Sequence, residues 1–232
     1  MKTRIITAIA GIIVVLGLVA IGGWFLTAAV IAVSVLSLLE YKQMLYHLGI
    51  SIYKNAAIGL SVCIIGVTGF YSLRLFLAVI LFAFIGMLCA VPFLKKQDLH
   101  RLIYTVFAVL YFGIGFGSLS LLRGSGLFLP GGQMPVESGI FFIMLSLTGT
   151  WASDSFAFFV GKKWGKHKMA PHISPNKTIE GLLGGMAGTV ICCTVFSAVL
   201  RFSAAEGFFL GILIAIAAPM GDLFESYLKR VC

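Results

Sequence analysis

The stretch from Asp154 to Gly181 reads DSFAFFVGKKWGKHKMAPHISPNKTIEG and joins an apolar segment to a basic loop. The loop holds five lysines, and after Asp154 the next carboxylate along the chain is Glu180. Only 11% of the residues in the whole chain are charged, so this concentration of lysine is unusual for the sequence. Long apolar runs flank the stretch on both sides, and their lengths decide the fold.

The composition places the chain among integral membrane proteins. Hydrophobic residues make up 60% of it and charged residues 11%, whereas roughly a quarter of the residues of a soluble domain are charged. The apolar runs are near the length of about 20 residues that a helix needs to cross a bilayer, and they lack the alternating polarity of barrel strands. Helices also satisfy every backbone hydrogen bond internally, as lipid requires. We therefore predict an all-α, polytopic fold.

The gaps between charges divide the chain into about eight transmembrane helices. The apolar run from Ile5 to Leu39 is about twice the length of one membrane span. We predict that it divides into two helices at Gly22-Gly23. We treat residues 1–232 as a single membrane domain, with scaffold helices in 1–137, motif-bearing helices in 138–232 and a basic loop at 161–180. The predicted spans are 5–21, 24–40, 55–73, 75–94, 102–122, 138–160, 181–200 and 207–224.

The positive charges predict the orientation of these spans. Of the 17 Lys and Arg residues, only Arg74, Arg123 and Arg201 fall on one side of the predicted membrane, and the other fourteen fall on the opposite side. By the positive-inside rule that side is cytoplasmic, which places both termini and the basic loop in the cytoplasm. The net charge of +9 is also attractive to anionic lipid headgroups. Nucleic acid is not an expected partner, because no recognition motif accompanies the charge.

By itself, the basic loop is explained as well by topology as by ligand binding. Asp154 favours binding, because an ionisable residue inside a membrane span usually faces a polar cavity, although pairing with a loop lysine is an alternative. Within Ser174-Pro175-Asn176-Lys177-Thr178, Ser174 suits a helix N-cap and Pro175 a first helical position. Free amides at such a helix start, together with Lys177, would bind an anion. An ordinary helix cap would have the same sequence.

Glycines in the predicted spans indicate close helix packing rather than chemistry. Gly181, Gly184, Gly185 and Gly188 form two overlapping GxxxG patterns, and Gly113 and Gly117 are similarly spaced. Small residues allow helices to approach closely in lipid.

The chain closes with a second polar cluster, GDLFESYLKR, from Gly221 to Arg230. On a helix, Asp222, Glu225, Ser226 and Lys229 share one face, because they lie three, four and seven residues apart. Carboxylates beside lysines suit a magnesium–phosphate site, since Mg²⁺ is usually held by one or two carboxylates plus substrate phosphates. Exposed salt bridges within the helix are the alternative interpretation. Pro219, just upstream, is expected to kink or break the span.

These motifs resemble those of the phosphatidate cytidylyltransferases, also called CDP-diacylglycerol synthases. The resemblance is carried by Asp154, by the segment GKKWGKHKMAPHISPNKTIEGLLGG and by GDLFESYLKR, and the polytopic layout agrees along the chain. It implies that CTP and phosphatidate are converted to CDP-diacylglycerol and pyrophosphate with Mg²⁺, and with a second cation as an option. It also implies a site on the cytoplasmic side of the cell (inner) membrane, and it suggests a homodimer.

The resemblance also implies roles for the matching residues. Asp222 would hold the metal, with Asp154 and Glu225 as further metal candidates. Asp222, Asp154, Lys177 and Lys229 would be catalytic. The residues expected to bind substrate phosphates are Lys166, Lys168, Ser174, Asn176, Thr178, Ser226 and Arg230.

The sequence departs from the family pattern in two places. After the first aspartate the family usually has a small hydroxyl residue and a glycine, whereas this chain has Ser155-Phe156-Ala157. The family's second block usually continues into K-D and H-G-G motifs with further aspartates, and the chain as given ends at Cys232. We therefore expect this 232-residue form to be inactive.

Three other functions are compatible with parts of the sequence. A CTP-dependent lipid kinase would also need a basic cytoplasmic site. A transporter would explain Asp154 but predicts ionisable groups nearer the midplane of several helices. A purely structural membrane protein would explain the glycines and the charge bias, but not Asp222 and Lys229 beside the SPNKT segment.

Overall fold

A computed structural model describes residues 2–70, 72–93, 98–124 and 138–231. All eight predicted spans are helical over nearly all of their described residues, which confirms the all-α polytopic fold. Within those residues, six helices are long and apolar enough to cross a membrane, and the spans predicted at 5–21 and 55–73 correspond to shorter apolar helices, Ala10–Ile21 and Lys54–Phe70. Lys95 and Lys96, two of the fourteen cations on the predicted cytoplasmic side, lie outside the described residues. Cys232, the last residue of the sequence, also lies outside them.

The chain forms two compact units, residues 1–126 and 127–232. The prediction of a single membrane domain stays a prediction. Over its described residues, the helices of the first unit are α1 (Lys2–Ile21), α2 (Gly23–His47), α3 (Lys54–Gly66), α4 (Leu73–Ala90), α5 (Asp98–Ala108) and α6 (Gly115–Gly124). 3-10 turns extend α3 and α4, and a π-helical segment, Val109–Ile114, joins α5 to α6.

The break between α1 and α2 falls at Gly22-Gly23, as predicted. Gly22 and Gly23 have φ angles of 65° and 56°, in the left-handed region that glycine adopts without strain. The Arg123 guanidinium lies against this turn and donates hydrogen bonds from Nε to the carbonyl of Val19 at 2.8 Å and from Nη2 to that of Ala20 at 3.3 Å. Arg123 therefore satisfies carbonyls that the end of α1 would otherwise leave unpaired.

Over residues 138–231, the second unit consists of three long helices and a hairpin that the sequence analysis did not predict. The helices are α7 (Ser138–Trp164), α8 (Ile179–Val199) and α9 (Ala204–Val231), and the hairpin strands are β1 (Lys168–Ala170) and β2 (Ser174–Thr178). The strands are antiparallel, with Lys168 opposite Thr178 and Ala170 opposite Ser174. The hairpin joins the end of α7 to the start of α8 and occupies most of the predicted basic loop.

The glycines of α8 confirm the prediction of close packing. A Cβ atom on Gly185 would lie 2.9 Å from the carbonyl oxygen of Ser153 in α7, and one on Gly181 would lie 2.8 Å from that of Ala157. The hydroxyl of Thr189 donates across the same contact to the carbonyl of Gly149 at 3.3 Å. Backbone-to-backbone approach therefore fixes α8 against α7, and this fixes the position of Asp154 relative to the start of α8.

Replacing Gly185 by alanine should lower the stability of the second unit. The added methyl group must push α8 away from α7, and such overpacking typically costs about 1–3 kcal/mol. The matched control is Gly221→Ala in α9, where a Cβ would meet nothing within 4 Å. A helical Gly→Ala change in open space is neutral or stabilising by up to about 1 kcal/mol. Thermal unfolding in detergent compares the two, and equal melting temperatures would refute the packing role of Gly185.

Candidate active site

A polar cavity of about 360 Å³ lies in the second unit where α7, the hairpin, α8 and α9 meet. Asp154 reaches it from α7, Lys177 from β2 and Asp222 from α9. Residues 182–220 separate the two polar stretches of the sequence, Asp154–Gly181 and Gly221–Arg230, yet both contribute to the same cavity. The chemical role of each residue stays a prediction.

Two of the residues that line the cavity, Lys177 and Asp222, form an ion pair. The Lys177 Nζ atom lies 2.5 Å from the Asp222 Oδ2 atom, with 25% of the lysine side chain and 47% of the aspartate side chain exposed. Asp154 interacts electrostatically with both partners. The Nζ atom is buried, and its contact with Asp222 lies outside hydrogen-bond geometry. Among the described residues the Nζ atom has no acceptor in hydrogen-bond geometry, and an anionic ligand could supply one.

Three hydrogen-bonding side chains of β2 line the same cavity: Ser174, Asn176 and Thr178. These three were among the predicted phosphate-binding residues, and the structure places all of them beside Lys177.

The predicted helix start at Ser174 is wrong. Residues 174–178 are extended and paired with β1, and the helix begins at Ile179 with Thr178 as its N-cap. The Thr178 Oγ1 atom accepts a hydrogen bond from the Gly181 amide at 3.1 Å. Proline fits an extended strand as well as a first helical turn, and the tertiary pairing with β1 decides between them. Ser174 therefore lines the cavity from a strand and caps no helix.

The anion site expected at that helix start is also absent from the described structure. The Ile179 amide donates to the carbonyl of His167 at 2.9 Å, and the Gly181 amide donates to Thr178. Both amides have protein partners, so they do not stand free for a phosphate. Lys177 is the positive group that remains directed at the cavity.

Six further predicted site residues do not line the cavity. Glu225 and Lys229 contact each other, with Oε1 and Nζ 2.5 Å apart, as in the alternative of a salt bridge along the helix. The Arg230 Nε atom donates to the carbonyl of Ile173, which fastens the end of α9 to the hairpin turn. The six residues are Lys166, Lys168, Glu225, Ser226, Lys229 and Arg230.

Glu180 is a structural residue that the sequence analysis did not single out. Its carboxylate accepts hydrogen bonds from the Lys166 amide at 3.0 Å and from the His167 amide at 3.2 Å, and it contacts the His167 Nδ1 atom at 2.6 Å. These contacts hold the segment between α7 and β1 against the start of α8. A signal was present, because Glu180 is the sole carboxylate in a loop rich in Lys and His.

Replacing Glu180 by glutamine should loosen this segment. The variant loses the charge and one of two acceptor oxygens, so the two amides and the imidazole can no longer all be satisfied. We expect trypsin to cleave after Lys166 or Lys168 a few times faster than in the parent chain. Glu206→Gln in the first turn of α9 is the control. Unchanged cleavage would contradict the anchoring role of Glu180.

Two apolar residues singled out in the sequence, Pro219 and Phe156, lie differently with respect to the cavity. Pro219 lines it from within α9, and the helix runs on through the proline, so the predicted break does not occur. Phe156, which stands where the family usually has glycine, packs against Gly188 of α8 and does not line the cavity. Residues two apart point to nearly opposite sides of a helix, so Asp154 and Phe156 face different directions. The presence of Phe156 in place of the family's usual glycine therefore does not fill the cavity beside Asp154.

The carboxylates of the cavity fit a magnesium ion that a substrate helps to bind. Within the described ranges, no group of three or more His, Cys, Asp and Glu side chains is placed to hold a metal. Asp154 and Asp222 supply two carboxylates, and Mg²⁺ usually takes one or two, with substrate phosphates and water completing its octahedron. A closed metal site formed by protein ligands alone is not what this geometry provides.

Comparison with known proteins agrees with this geometry. The sequence matches the cytidylyltransferase family over residues 2–232. The phosphatidate cytidylyltransferase of Synechocystis sp. is 30% identical over 251 residues, covering 98% of this chain and 83% of the relative. The enzymes of the same name from Bacillus subtilis and Staphylococcus aureus are each 28% identical, covering 99% of this chain and 84% and 85% of the relatives. The chain therefore belongs to the cytidylyltransferase family, and as a member it is a multi-pass membrane nucleotidyltransferase.

Proposed function

We propose that the chain transfers the cytidylyl group of CTP to phosphatidate, giving CDP-diacylglycerol and pyrophosphate, for phospholipid synthesis. The observation that carries the proposal is the Lys177–Asp222 pair beside Asp154 in one polar cavity of a membrane protein. This combination supplies positive charge for phosphates and carboxylates for a metal. The three relatives described above, all named phosphatidate cytidylyltransferases, support the choice of substrates.

The reaction needs no covalent intermediate on the protein. A phosphate oxygen of phosphatidate is already anionic near neutral pH and attacks the α-phosphorus of CTP. The new O–P bond forms while the bond between the α-phosphorus and the bridging oxygen breaks, and that oxygen leaves with pyrophosphate. The work left to the protein is to align two anionic substrates and to reduce the repulsion between them.

Lys177 is the residue placed to reduce that repulsion. Its ammonium lies against Asp222, and its buried Nζ atom has no aligned hydrogen-bond acceptor among the described residues. When a triphosphate enters, Lys177 can turn these donors to the phosphate oxygens. Ser174, Asn176 and Thr178 add neutral hydrogen-bond donors along the same wall.

Asp154 and Asp222 are the residues that would hold Mg²⁺. When bound, the ion would neutralise negative charge on the triphosphate and help to fix its orientation. Because the two carboxylates come from α7 and α9, the packing of those helices through α8 sets the distance between them.

We place the active site on the cytoplasmic side of the cell membrane. The lysines that surround the hairpin belong to the side with fourteen of the 17 Lys and Arg residues, which the positive-inside rule assigns to the cytoplasm. CTP is a highly charged molecule that needs an aqueous approach, and this side provides one.

Isotope labelling tests the reaction directly. Phosphatidate is supplied with CTP labelled at either the α- or the γ-phosphorus, and the lipid products are separated. Cytidylyl transfer puts the α-label into a liponucleotide and leaves the γ-label in pyrophosphate. Entry of the γ-label into lipid would instead identify the lipid kinase, and no label in lipid alongside movement of solute would favour a transporter.

The assay uses two forms of the protein, one for substrate binding and one for turnover. The first is the 232-residue form, in which binding of CTP with Mg²⁺ is measured at equilibrium. The second is a form extended after Arg230 with the corresponding segment of a cytidylyltransferase relative, in which turnover is measured. Failure of the 232-residue form to bind CTP in preference to ATP and UTP, together with no liponucleotide from the extended form, would refute the proposed function.

A further inference from the structure

The first unit contains a large apolar cavity that the proposed reaction does not use. Its volume is about 1150 Å³, and it lies between α3 and α4 with a wall from α5. Small residues face each other across it, spaced along one side of each helix, and this leaves the space unfilled. They are Ala56, Gly59 and Gly66 on α3, and Ala83, Gly86 and Ala90 on α4.

The space beside two of these glycines is open. A Cβ atom built on Gly59 or Gly86 would meet nothing within 4 Å. Cys63, which also lines the cavity, is a free and exposed thiol. An apolar cavity open to the side of a membrane helix pair suits a hydrocarbon chain.

A second, polar cavity of about 440 Å³ adjoins the apolar one. The two share Tyr53 and Ala56 as lining residues. The described residues that line the polar cavity include three cations, Lys42, Lys54 and Arg101, and no carboxylate. All three belong to the side of the chain that is predicted to be cytoplasmic, where headgroups of that leaflet lie.

Arg101 is held in place by an aromatic contact, since its guanidinium lies 4.2 Å from the centroid of the Tyr53 ring. Its Nε atom is buried and has no hydrogen-bond partner among the described residues. The Thr105 hydroxyl fixes this arrangement, since it donates to the carbonyl of Arg101 at 2.7 Å and accepts from the Tyr53 amide at 3.0 Å. A buried donor of this kind calls for an anionic acceptor from outside the protein.

We infer that the two adjoining cavities form a binding site for an anionic phospholipid of the bilayer, with its phosphate among Lys42, Lys54 and Arg101 and an acyl chain between α3 and α4. Basic pockets between transmembrane helices on the cytoplasmic side typically bind anionic headgroups. The apolar cavity continues directly from that pocket, so one amphiphilic molecule can fill both. The inferred site is separate from the proposed site for CTP, because no residue that lines these two cavities also lines the cavity of the second unit.

Photo-crosslinking in lipid nanodiscs tests the site. The 232-residue chain is reconstituted in phosphatidylcholine containing a trace of phosphatidylglycerol that carries a diazirine near the end of one acyl chain. A phosphatidylcholine probe with the same acyl chain is run in parallel, and mass spectrometry maps the crosslinks. We expect the phosphatidylglycerol probe to label the facing sides of α3 and α4, and to do so far more than the phosphatidylcholine probe.

Two sets of variants separate the headgroup from the acyl chain. Lys42→Gln and Lys54→Gln remove exposed charges without touching the core, and each should lower labelling by the anionic probe about fivefold. Gly59→Leu and Gly86→Leu fill the apolar cavity and should lower labelling by both probes. Lys162→Gln and Gly17→Leu are the controls, since neither residue lines either cavity.

Melting temperatures of the variants show whether each one remains folded. Equal labelling by the two probes would overturn the inference, because ordinary lipid contact around a helix pair would then explain it. The inference would also fail if folded Lys42→Gln and Lys54→Gln kept the full preference for phosphatidylglycerol.

Discussion

Asp222→Asn should abolish cytidylyl transfer without unfolding the protein. The change keeps the size of the side chain but removes the charge that pairs with Lys177 and that would hold Mg²⁺. Charge stabilisation by a bound metal is worth several kcal/mol, so we expect turnover by the extended form to fall at least about 10³-fold. In the 232-residue form, CTP binding should lose its dependence on Mg²⁺.

Glu225→Gln is the matched control for Asp222→Asn. Glu225 lies one turn further along α9, is similarly exposed and pairs with Lys229, yet it does not line the cavity. We expect this variant to keep turnover within a few-fold of the parent. Full activity in a folded Asp222→Asn variant would remove Asp222 from the metal role, and equal losses in both variants would show that the effect comes from the surface charge of α9.

Lys177→Met should produce the second-largest loss. Methionine keeps the aliphatic stem of the side chain but removes the one ammonium that lines the cavity among the described residues. By analogy with the loss of a single oxyanion-hole donor, we expect turnover to fall roughly 10²–10³-fold. CTP affinity should fall as well, because the phosphates lose their positive partner while Asp154 and Asp222 remain negative.

A structural role for Lys177 predicts a different result. If the ion pair with Asp222 mainly held β2 against α9, Lys177→Met would lower the melting temperature and Lys177→Arg would restore it together with activity. If Lys177 binds phosphate from its buried position, the melting temperature should change little and arginine should not restore turnover. Lys163→Met, at the exposed end of α7, controls for the loss of one positive charge near the membrane surface.

The sequence analysis predicted the membrane class, the helical segments and the break at Gly22-Gly23. These depend on local properties, namely the length of apolar runs and the permissive backbone of glycine. The packing role of Gly181 and Gly185 was predictable for the same reason, since small residues in a span have few other uses. Eight segments were identified, but run length alone did not distinguish the six long helices from the two shorter ones.

The candidate site was predicted in part. Asp154, Lys177 and Asp222 were identified from residue type and position, and the structure brings them to one cavity. Lys166, Lys168 and Lys229 carried the same chemical signal, but their directions depend on the hairpin and on the pairing of Glu225 with Lys229. A residue list cannot separate an ammonium that faces a cavity from one that faces solvent.

The segment from Ser174 to Thr178 shows most clearly what the local sequence determines and what only the tertiary structure determines. By itself the sequence determined that this segment is polar, lies beside a membrane span and precedes a close-packed helix. Only the tertiary structure decided that it is a strand, because its partner, Lys168–Ala170, forms no recognisable strand without it. Pairing between strands and packing between helices are contacts between residues that are distant in the sequence. These contacts bring Lys177 against Asp222, and no local sequence pattern could have predicted that.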